Sequence, residues 1–315
     1  MHLESLRYFY EVSRCLNITQ SAHQMNISQQ RLSGHIQRLE EYYGIPLFVR
    51  KPKLQLTHAG EILVKYAEQM LEIDRDLHAI FSDLRQEQTG RIRLGITSSR
   101  AQISLPSIMS QFCRKYPSIQ LELINGTTAE SIERMQNNEI DVMIGVDNCE
   151  TNQTDVTTLM TEQVYILIPE NILQNVYGTD FSRREDAHIN GVHLEDFASQ
   201  PFILPSAETH LRKIVDRLFE QLCLVPKVIC ESGNSQIQSQ LASSGFGICF
   251  LPQMMISSKV APAYLPENSK EQTYPICLSD VSYQIILGLP KNRYIPQYIK
   301  EFKNIAIDVF SNFTT

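Results

Sequence analysis

Residues 18–60 decide the fold and read ITQSAHQMNISQQRLSGHIQRLEEYYGIPLFVRKPKLQLTHAG. A short helix is predicted over residues 19–25, followed by a tight turn at residues 26–28. Ser28 is placed to cap a second, longer helix, because its hydroxyl can accept a hydrogen bond from the first-turn amides. One apolar stripe runs along that helix at helical spacing, formed by Leu32, Ile36 and Leu39. The pattern predicts two helices joined by a turn.

The opposite face of the second helix carries amide, hydroxyl and guanidinium groups, with no acid before Glu40. At about 100° per residue its members are Gln30, Gly34 and Gln37 at the centre and Arg31, Ser33 and Arg38 at the sides. Such groups donate bidentate hydrogen bonds to base edges and reach phosphates. A face that only meets solvent is the alternative, but it would more often mix acids with bases. The face therefore favours DNA recognition.

Two short β-like runs, 47–49 and 54–56, enclose Arg50, Lys51, Pro52 and Lys53. This arrangement predicts a hairpin, or wing, that places positive charge beside the backbone of a duplex. Across both helices and the wing, the residues predicted to contact DNA are Thr19, Gln20, Ser28, Gln29, Gln30, Arg31, Ser33, Gln37, Arg38, Arg50, Lys51 and Lys53.

A long helix is predicted from Thr57, its expected cap, to Gln88. Its apolar residues follow a 4-3-4-3-4-3-4 spacing and are Ala59, Leu63, Tyr66, Met70, Ile73, Leu77, Ile80 and Leu84. A heptad seam of this length predicts pairing with another helix, and we expect a homodimer. An amphipathic helix packed on its own domain is the alternative. Thr89 and Gly90 are expected to form the hinge to the rest of the chain.

Beyond residue 90 predicted strands alternate with predicted helices. The strands are 92–96, 119–124, 142–145, 164–168, 202–204, 227–229, 248–251 and 283–289, and the helices are 102–116, 128–137, 211–223, 236–243 and 295–310. This alternation predicts an α/β fold with a sheet rich in parallel pairs and covered on both faces. Residues 171–200 are polar and are predicted to be irregular.

Charge is divided unevenly along the 315 residues. Residues 1–60 hold seven basic and four acidic side chains, a net charge of +3, whereas the whole chain carries −7. The asymmetry suggests a basic module that approaches phosphates, attached to an acidic body. No apolar run approaches the ~18 residues that span a bilayer, and no basic region precedes an apolar stretch at the N-terminus. We therefore expect a cytoplasmic protein without a membrane partner.

Seven scattered cysteines argue against both a zinc site and a complete disulfide framework. Reduced, mostly buried thiols are the expectation, and a redox switch through Cys223 and Cys230 is the alternative. Enzyme motifs are missing as well, because the chain has no Gly-rich phosphate loop, His-Glu-x-x-His helix or nucleophile elbow. We expect no enzyme, no cofactor and no bound metal.

The whole chain resembles LysR-type transcriptional regulators. The residues that carry the resemblance are Phe9 to Val12, Ile18 to Ala22, Ile27 to Gln29, Leu32-Ser33, Ile36, Leu39-Glu40, Gly44, Pro46 to Arg50, Leu56 to Gly60, Leu105-Pro106, Phe112, Tyr116-Pro117, Glu139 to Asp141, Gly245 to Ile248 and Leu251-Pro252. The chain departs from the family at Gln30-Arg31, where a proline and a small residue are common. The DNA sequence that it recognises is therefore expected to differ from that of a generic member.

The resemblance implies an all-α winged helix-turn-helix domain at 1–58, a dimerising linker helix at 59–89 and an effector-binding domain at 90–315. That domain would consist of two Rossmann-like lobes of the periplasmic-binding-protein type, lobe I at about 90–161 and 275–315 and lobe II at about 162–274. The chain would cross between the lobes near 161–163 and near 267–274. Such proteins usually form homotetramers and bind interrupted inverted repeats.

In two-lobed modules of this kind, ligands bind between the lobes, where strands end and helices begin. The residues predicted to hold an effector there are Thr97, Ser98, Ser99, Arg100, Thr127, Thr128, Ser206, Thr209 and Ser232. Hydroxyls and free amides at helix starts favour an anion or a polar carboxylate, to which Arg100 could supply charge. Alternatively, these serines and threonines only cap helices.

The sequence therefore predicts a DNA-binding transcription regulator that responds to a small polar or carboxylate effector. A thiol redox regulator and a cytoplasmic solute-binding protein remain the alternatives.

Overall fold

The N-terminal part of the chain folds into three helices, α1 (Leu3–Cys15), α2 (Ile18–Gln24) and α3 (Gln29–Tyr43). Each boundary has a local cause. The Asn17 side chain accepts a hydrogen bond from the Gln20 amide at 3.1 Å, and the Ser28 hydroxyl accepts one from the Arg31 amide at 3.2 Å, as predicted. Gly44 ends α3 in the left-handed region at φ 68°, a conformation that glycine adopts without steric cost.

A short hairpin, β1 (Phe48–Val49) with β2 (Gln55–Leu56), leads into the long helix α4 (His58–Leu84). Thr57 caps α4, because its hydroxyl accepts a hydrogen bond from the Gly60 amide at 3.0 Å. A side chain at Gly60 would place Cβ 2.2 Å from the Leu47 carbonyl oxygen, so only glycine fits where α4 meets the hairpin. The core of this part is continuous and includes Leu6, Phe9, Val12, Leu32, Ile36, Leu39 and Leu47.

The computed structural model describes residues 3–85, 89–147, 153–178, 193–257 and 273–313. The chain divides into two units, Met1–Glu87 and Gln88–Thr315. The predicted end of the long helix at Gln88 lies outside the described residues, and the described helix ends at Leu84 with Arg85 as its cap. None of the helices in the described part of the chain combines the length and apolar character needed to cross a bilayer.

The second unit is built on one eight-stranded mixed sheet, ordered β4-β3-β5-β10-β6-β9-β7-β8. Its strands are β3 (Gly90–Ile96), β4 (Ile119–Asn125), β5 (Val142–Val146), β6 (Thr154–Pro169), β7 (Pro201–Pro205), β8 (Lys227–Ser232), β9 (Ile248–Pro252) and β10 (Thr273–Pro290). Its helices are α5 (Ser98–Lys115), α6 (Thr128–Gln136), α7 (Glu170–Tyr177), α8 (His210–Gln221), α9 (Ser235–Ala242), α10 (Gln253–Ser257) and α11 (Gln297–Ser311). The predicted α/β fold is confirmed.

Two long strands join the halves of this sheet. Strand β3 pairs in parallel with β4 and β5, and β7 pairs in parallel with β8 and β9. We call the half built on β3–β5 lobe I and the half built on β7–β9 lobe II. Strands β6 and β10 pair with each other along both halves, β10 with β5 in lobe I and β6 with β9 in lobe II. Both lobes therefore share the same two strands.

Strands β6 and β10 pass from one lobe to the other at the level of their cross-strand pair Glu162–Tyr283. Strand β5 pairs with β10 only from Ile285 onward, and β9 pairs with β6 only from Val164 onward. The first predicted crossing, 161–163, coincides with this level. Most of the second, 267–274, lies outside the described residues, and the described part of β10 runs unbroken through the level of Tyr283. The exact domain limits remain predictions.

Two predictions about local structure were wrong. Helix α5 begins at Ser98 rather than at residue 102, so Pro106 lies well inside the helix instead of near its first turn. Part of the stretch predicted to be irregular is helical, because α7 occupies residues 170–177 and a 3₁₀ turn occupies residues 194–197. Ile172, Leu173, Leu194 and Phe197 are buried and anchor both segments to the core. Residues 179–192 of that stretch lie outside the described part.

Candidate DNA interface and effector cleft

The predicted recognition face of α3 is open to solvent. Gln29, Gln30, Arg31, Gln37 and Arg38 are exposed, whereas Ser33 and Gly34 are partly buried. A Cβ added at Gly34 would meet no atom within 4 Å, so packing within the described chain does not require glycine there. Thr19, Gln20 and Ser28 are exposed at the adjoining helix starts, although the Ser28 hydroxyl is occupied as the cap of α3.

Several of these polar groups have partners at the surface. Arg31 lies 3.5 Å from Glu4, Arg50 lies 3.3 Å from Glu40, and the Gln37 amide donates to Glu41 at 2.9 Å. Exposed pairs of this kind contribute about 0–1 kcal/mol, so a competing phosphate or base edge can replace them at little cost. Lys51 and Lys53 are exposed in the hairpin.

Glu40 connects the recognition helix to the wing, a role that the sequence did not reveal. Its Oε1 accepts hydrogen bonds from the amides of Leu47 and Phe48, at 2.8 and 3.3 Å, while its Oε2 meets Arg50. One carboxylate on α3 therefore fixes the start of the hairpin. The sequence signal was the pair of acids Glu40 and Glu41 near the end of a helix that carries none before them.

His35 is a second residue that sequence reasoning missed. It is 5% exposed on the inner face of α3, its Nδ1 lies 2.9 Å from the Ser5 hydroxyl, and its ring meets Tyr8 edge-on at 4.6 Å. These contacts join α3 to α1. The position next to Ile36 in the apolar stripe was the available signal.

A cavity of about 560 Å³ lies in the second unit, where α5, α6 and α8 begin. It receives residues from both lobes, as the sequence analysis expected. The predicted effector residues that line it are Thr97, Ser98, Ser99, Arg100, Thr127, Thr128 and Thr209. Ser206 and Ser232 are not among its lining residues. The Ser206 carbonyl accepts from the Thr209 amide and the Ser232 hydroxyl accepts from the Asn234 amide, so both serines close the loops behind the cavity.

Most of the predicted hydroxyl groups already form hydrogen bonds within the protein. Thr127 forms a reciprocal capping box with Glu130, Thr128 accepts from the Val146 amide at 3.0 Å, and Thr209 caps α8. Ser98 donates to the Asn125 side chain at 2.9 Å. The capping alternative thus accounts for Thr127 and Thr209, whereas Thr128 and Ser98 bond groups outside their own helices. Thr97 precedes α5 without making a side-chain cap bond, so its hydroxyl is not used in this way.

The floor of the cavity holds ionisable groups, most of which the sequence did not single out. Arg100 is 8% exposed, and its Nη2 lies 3.7 Å from Oε2 of Glu162, which is fully buried on β6. The other oxygen of Glu162 accepts from the Met254 amide at 3.2 Å. Tyr283, paired with Glu162 across β6 and β10, also lines the cavity. The sequence signal for Glu162 was a single acidic residue just before the apolar run 164–168.

Burial shifts the pKa values of this group. Burial raises the pKa of Glu162, although Arg100 opposes the shift, and raises the pKa of Tyr283 well above its ordinary value. The pKa of His210, whose Nε2 lies 3.0 Å from Asp147, is lowered because burial disfavours the imidazolium, although Asp147 opposes the shift. Because the ordinary pKa of histidine is about 6.5, the lowered pKa leaves His210 mostly uncharged near neutral pH.

The described cysteines are free thiols, and Cys223 and Cys230 are not bonded to each other. Burial raises the pKa of Cys249 far above the physiological range, which makes that thiol a poor nucleophile. Within the described ranges, no group of three or more histidine, cysteine or acidic side chains could hold a metal ion.

Family models match both units. The model described as "Bacterial regulatory helix-turn-helix protein, lysR family" matches residues 3–61, and the model described as "LysR substrate binding domain" matches residues 85–311. Among curated relatives, the transcriptional dual regulator GltC of Bacillus subtilis is 27% identical over 99% of this chain and 98% of its own length. The HTH-type transcriptional activator IlvY of Salmonella typhimurium is 26% identical over 87% of this chain and 91% of its own.

Solved structures share the fold along nearly the whole chain. A cysteine-to-aspartate variant of full-length OxyR from Pseudomonas aeruginosa aligns with a TM-score of 0.68 at 17% identity, covering 98% of this chain and 94% of its own. CbnR in complex with its target DNA aligns with a TM-score of 0.60 at 17% identity, covering 98% of this chain and 100% of its own. Because the substrate-binding model alone matches more than half of the residues, the chain belongs to the LysR family of DNA-binding transcriptional regulators.

Proposed function

We propose that this regulator reads DNA through α3 and holds the backbone through its wing. The observation that carries the proposal is the exposed face of α3, which presents amides and guanidinium groups and no acid between Gln29 and Gly34 or at Gln37 and Arg38. Gln30 is the residue to which we assign base reading, because a side-chain amide can form two hydrogen bonds to one edge of a base. Lys51 and Lys53 are assigned to phosphates.

Helix α4 supports a dimer. Tyr66, Ile73 and Leu84 are 57%, 60% and 74% exposed, although they belong to the heptad stripe. Full burial of a large apolar side chain contributes about 1.5–3 kcal/mol, so covering this stripe with a second copy would stabilise both chains. A homodimer has twofold symmetry, which matches an interrupted inverted repeat in the DNA. We extend the assembly to a homotetramer by family resemblance.

The cleft in the second unit is assigned to sensing a small polar or carboxylate effector rather than to catalysis. Seven predicted residues line it, and Arg100 supplies a buried cation. Ser99 and Thr97 are partly buried at the start of α5, where backbone amides favour an anion. Since its target is genomic DNA, we place the protein in the cytoplasm.

The experiment that tests the DNA-binding role is selection of genomic fragments by the purified protein. The enriched fragments are then footprinted with and without carboxylates. An enriched inverted repeat is expected. The matched control is the same selection with Gln30→Ala, which should lose enrichment at one position of each half-site and keep the others. Equal recovery of genomic and random DNA at moderate salt would contradict the proposal.

Dimerisation is tested separately by analytical ultracentrifugation. Ile73→Glu should shift the protein toward the monomer, because it places charge in the apolar stripe. Glu72→Ala is the neighbouring control and should leave the assembly unchanged. An unchanged mass for Ile73→Glu would remove α4 from the interface.

A further inference from the structure

The cation at the floor of the cleft is incompletely satisfied. Arg100 is buried, and although the Tyr283 side chain interacts with both Arg100 and Glu162, the Nε of Arg100 has no hydrogen-bond partner in the described structure and its Nη2 lies 3.7 Å from Glu162. Oε2 of Glu162 is likewise buried without a hydrogen-bond partner. Burying a guanidinium is costly unless its donors are bonded. The cleft therefore leaves a donor that an anionic group of a ligand can satisfy.

Glu162 does not fully cancel the charge of Arg100. The nearest approach between the two side chains is 3.7 Å, Oε1 of Glu162 accepts a hydrogen bond from the Met254 amide, and burial raises the pKa of Glu162, which disfavours its charged form. A carboxylate that entered the cleft would then pair with Arg100 in surroundings of low dielectric, where charge-assisted hydrogen bonds are strong.

Negative charge lines the same cavity. Asp147 follows β5 in lobe I and is half exposed, and Glu208 is exposed just before α8 in lobe II. Asp147 lies 3.0 Å from His210, but the lowered pKa of His210 leaves this carboxylate without a full countercharge. Glu130 also lines the cavity, although the capping box of α6 already occupies it. Lys213 adds a second, exposed cation.

The backbone holds Asp147 in an uncommon conformation. Its φ of +59° lies in the left-handed region, which favours glycine and which few other residues adopt. The Asp147 amide donates to the Gln284 carbonyl at 2.7 Å, which stabilises the turn at the edge of the cavity. Strain of this kind persists where the surrounding structure fixes it, often at a ligand clamp.

We propose that the effector is a zwitterion of the amino-acid type, whose carboxylate binds Arg100 and whose ammonium group faces Asp147. The inference rests on the proposed sensing role of the cleft. A simple carboxylate would pair with Arg100 and add no cation beside Asp147, which contacts only the lowered-pKa imidazole of His210 among the ion pairs of the described residues, and a simple amine would pair with Asp147 and add no anion beside Arg100. A ligand with both charges pairs with both groups.

The test uses the full chain and measures the thermal unfolding midpoint with each of the twenty standard amino acids and with acetate, succinate, hexanoate and 3-phenylpropanoate. Amino acids that raise the midpoint are then titrated by calorimetry beside their desamino acid and their decarboxylated amine. At least one amino acid is expected to bind tenfold or more tightly than either analogue.

Asp147→Asn provides the decisive comparison. It should bring the affinity for the amino acid down to that of its desamino acid, while the affinity for the desamino acid stays unchanged and so reports an intact pocket. Asp155→Asn, an exposed position on β6, is the matched control and should retain the preference. The inference is overturned if no amino acid binds, if the desamino acid binds as tightly as the amino acid, or if Asp147→Asn keeps the preference.

These outcomes are separable from failure of the proposed function. Binding of carboxylates alone would overturn the zwitterion and leave an effector cleft. Loss of the regulator role would instead appear as absent enrichment in the DNA selection, whatever the calorimetry showed.

Discussion

Two arginine–glutamate pairs in this molecule have almost the same separation and opposite surroundings. Arg31 and Glu4 lie 3.5 Å apart with side chains 59% and 46% exposed, whereas Arg100 and Glu162 lie 3.7 Å apart with side chains 10% and 0% exposed. Water screens the first pair and stabilises both ions when they separate. The second pair is shielded from water, so its unbonded polar atoms can gain hydrogen-bond partners only from the protein or from a ligand.

The comparison explains how one chain can use arginine for two purposes. On α3 a guanidinium group can exchange one partner for another at little cost in free energy. This property suits a surface that must scan many DNA sequences. In the cleft the guanidinium is fixed and poorly satisfied, which suits selective recognition of one small molecule.

The largest expected effect comes from breaking the buried pair. Glu162→Ala should lower the free energy of unfolding by about 2–4 kcal/mol, since it removes the carboxyl beside the buried Arg100 and the acceptor of the Met254 amide. Urea unfolding followed by circular dichroism measures the change. Glu122→Ala, which removes an exposed partner of Arg91, is the control and should differ little from the wild type. Equal losses of unfolding free energy in the two variants would contradict the distinction between the buried and the exposed pair.

The next effect concerns base reading at the surface. Gln30→Ala should reduce discrimination between the preferred base and its alternatives by about 1–3 kcal/mol at one position of each half-site. Binding to a substituted operator series measures this loss. Gln120→Ala, an exposed amide on β4, is the control. An unchanged base preference in Gln30→Ala would show that α3 does not read DNA through this residue.

Protonation of His210 should make the cleft sensitive to acid. Its pKa is lowered in the folded protein by burial, so the unfolded chain binds more protons below its ordinary pKa of about 6.5, and stability falls as the pH drops through that range. One such group changes the unfolding free energy by at most about 1.4 kcal/mol per pH unit. His210→Gln should show a shallower loss between pH 6.5 and 5. If the wild type and His210→Gln lost unfolding free energy in parallel as the pH fell, His210 would not be the group that titrates.

The smallest expected effect comes from releasing the exposed pair. Glu4→Gln should strengthen DNA binding by less than about fivefold, because Arg31 loses its competing partner at the surface. Fluorescence anisotropy at two salt concentrations measures the change, and the gain should shrink at high salt. Glu61→Gln, an exposed acid in the first turn of α4, is the control. Weaker binding after Glu4→Gln would contradict the assignment of Arg31 to DNA.

Features set by neighbouring residues could be predicted from the sequence. Ser28 and Thr57 were identified as caps because a cap depends on a hydroxyl and amides three residues away. Helix α5 begins four residues earlier than predicted, and it contains Pro106 within its length. Local rules fail when packing outweighs a single unfavourable residue.

Features set by distant residues could not be predicted. Glu162 and Tyr283 are adjacent only because β6 and β10 pair in one antiparallel register, which no local pattern encodes. Asp147 and His210 meet for a similar reason, since the two lobes close on one cavity. Seven of the nine predicted effector residues, Arg100 among them, line one cavity, but other ionisable groups that line it, such as Glu208, His210 and Tyr283, were not among the predicted residues.

The continuity of β6 and β10 has a mechanical consequence. At the level of Thr161–Gln163 and Ser282–Gln284, the described strands pair with each other and with no third strand. A two-stranded ribbon twists more freely than a wide sheet. A rotation of one lobe against the other would therefore be taken up by twisting of this ribbon, beside the register irregularity between Leu278 and Ser282. Glu162 and Tyr283 lie within the ribbon, so the floor of the cleft is the part of the second unit that such a twist would deform.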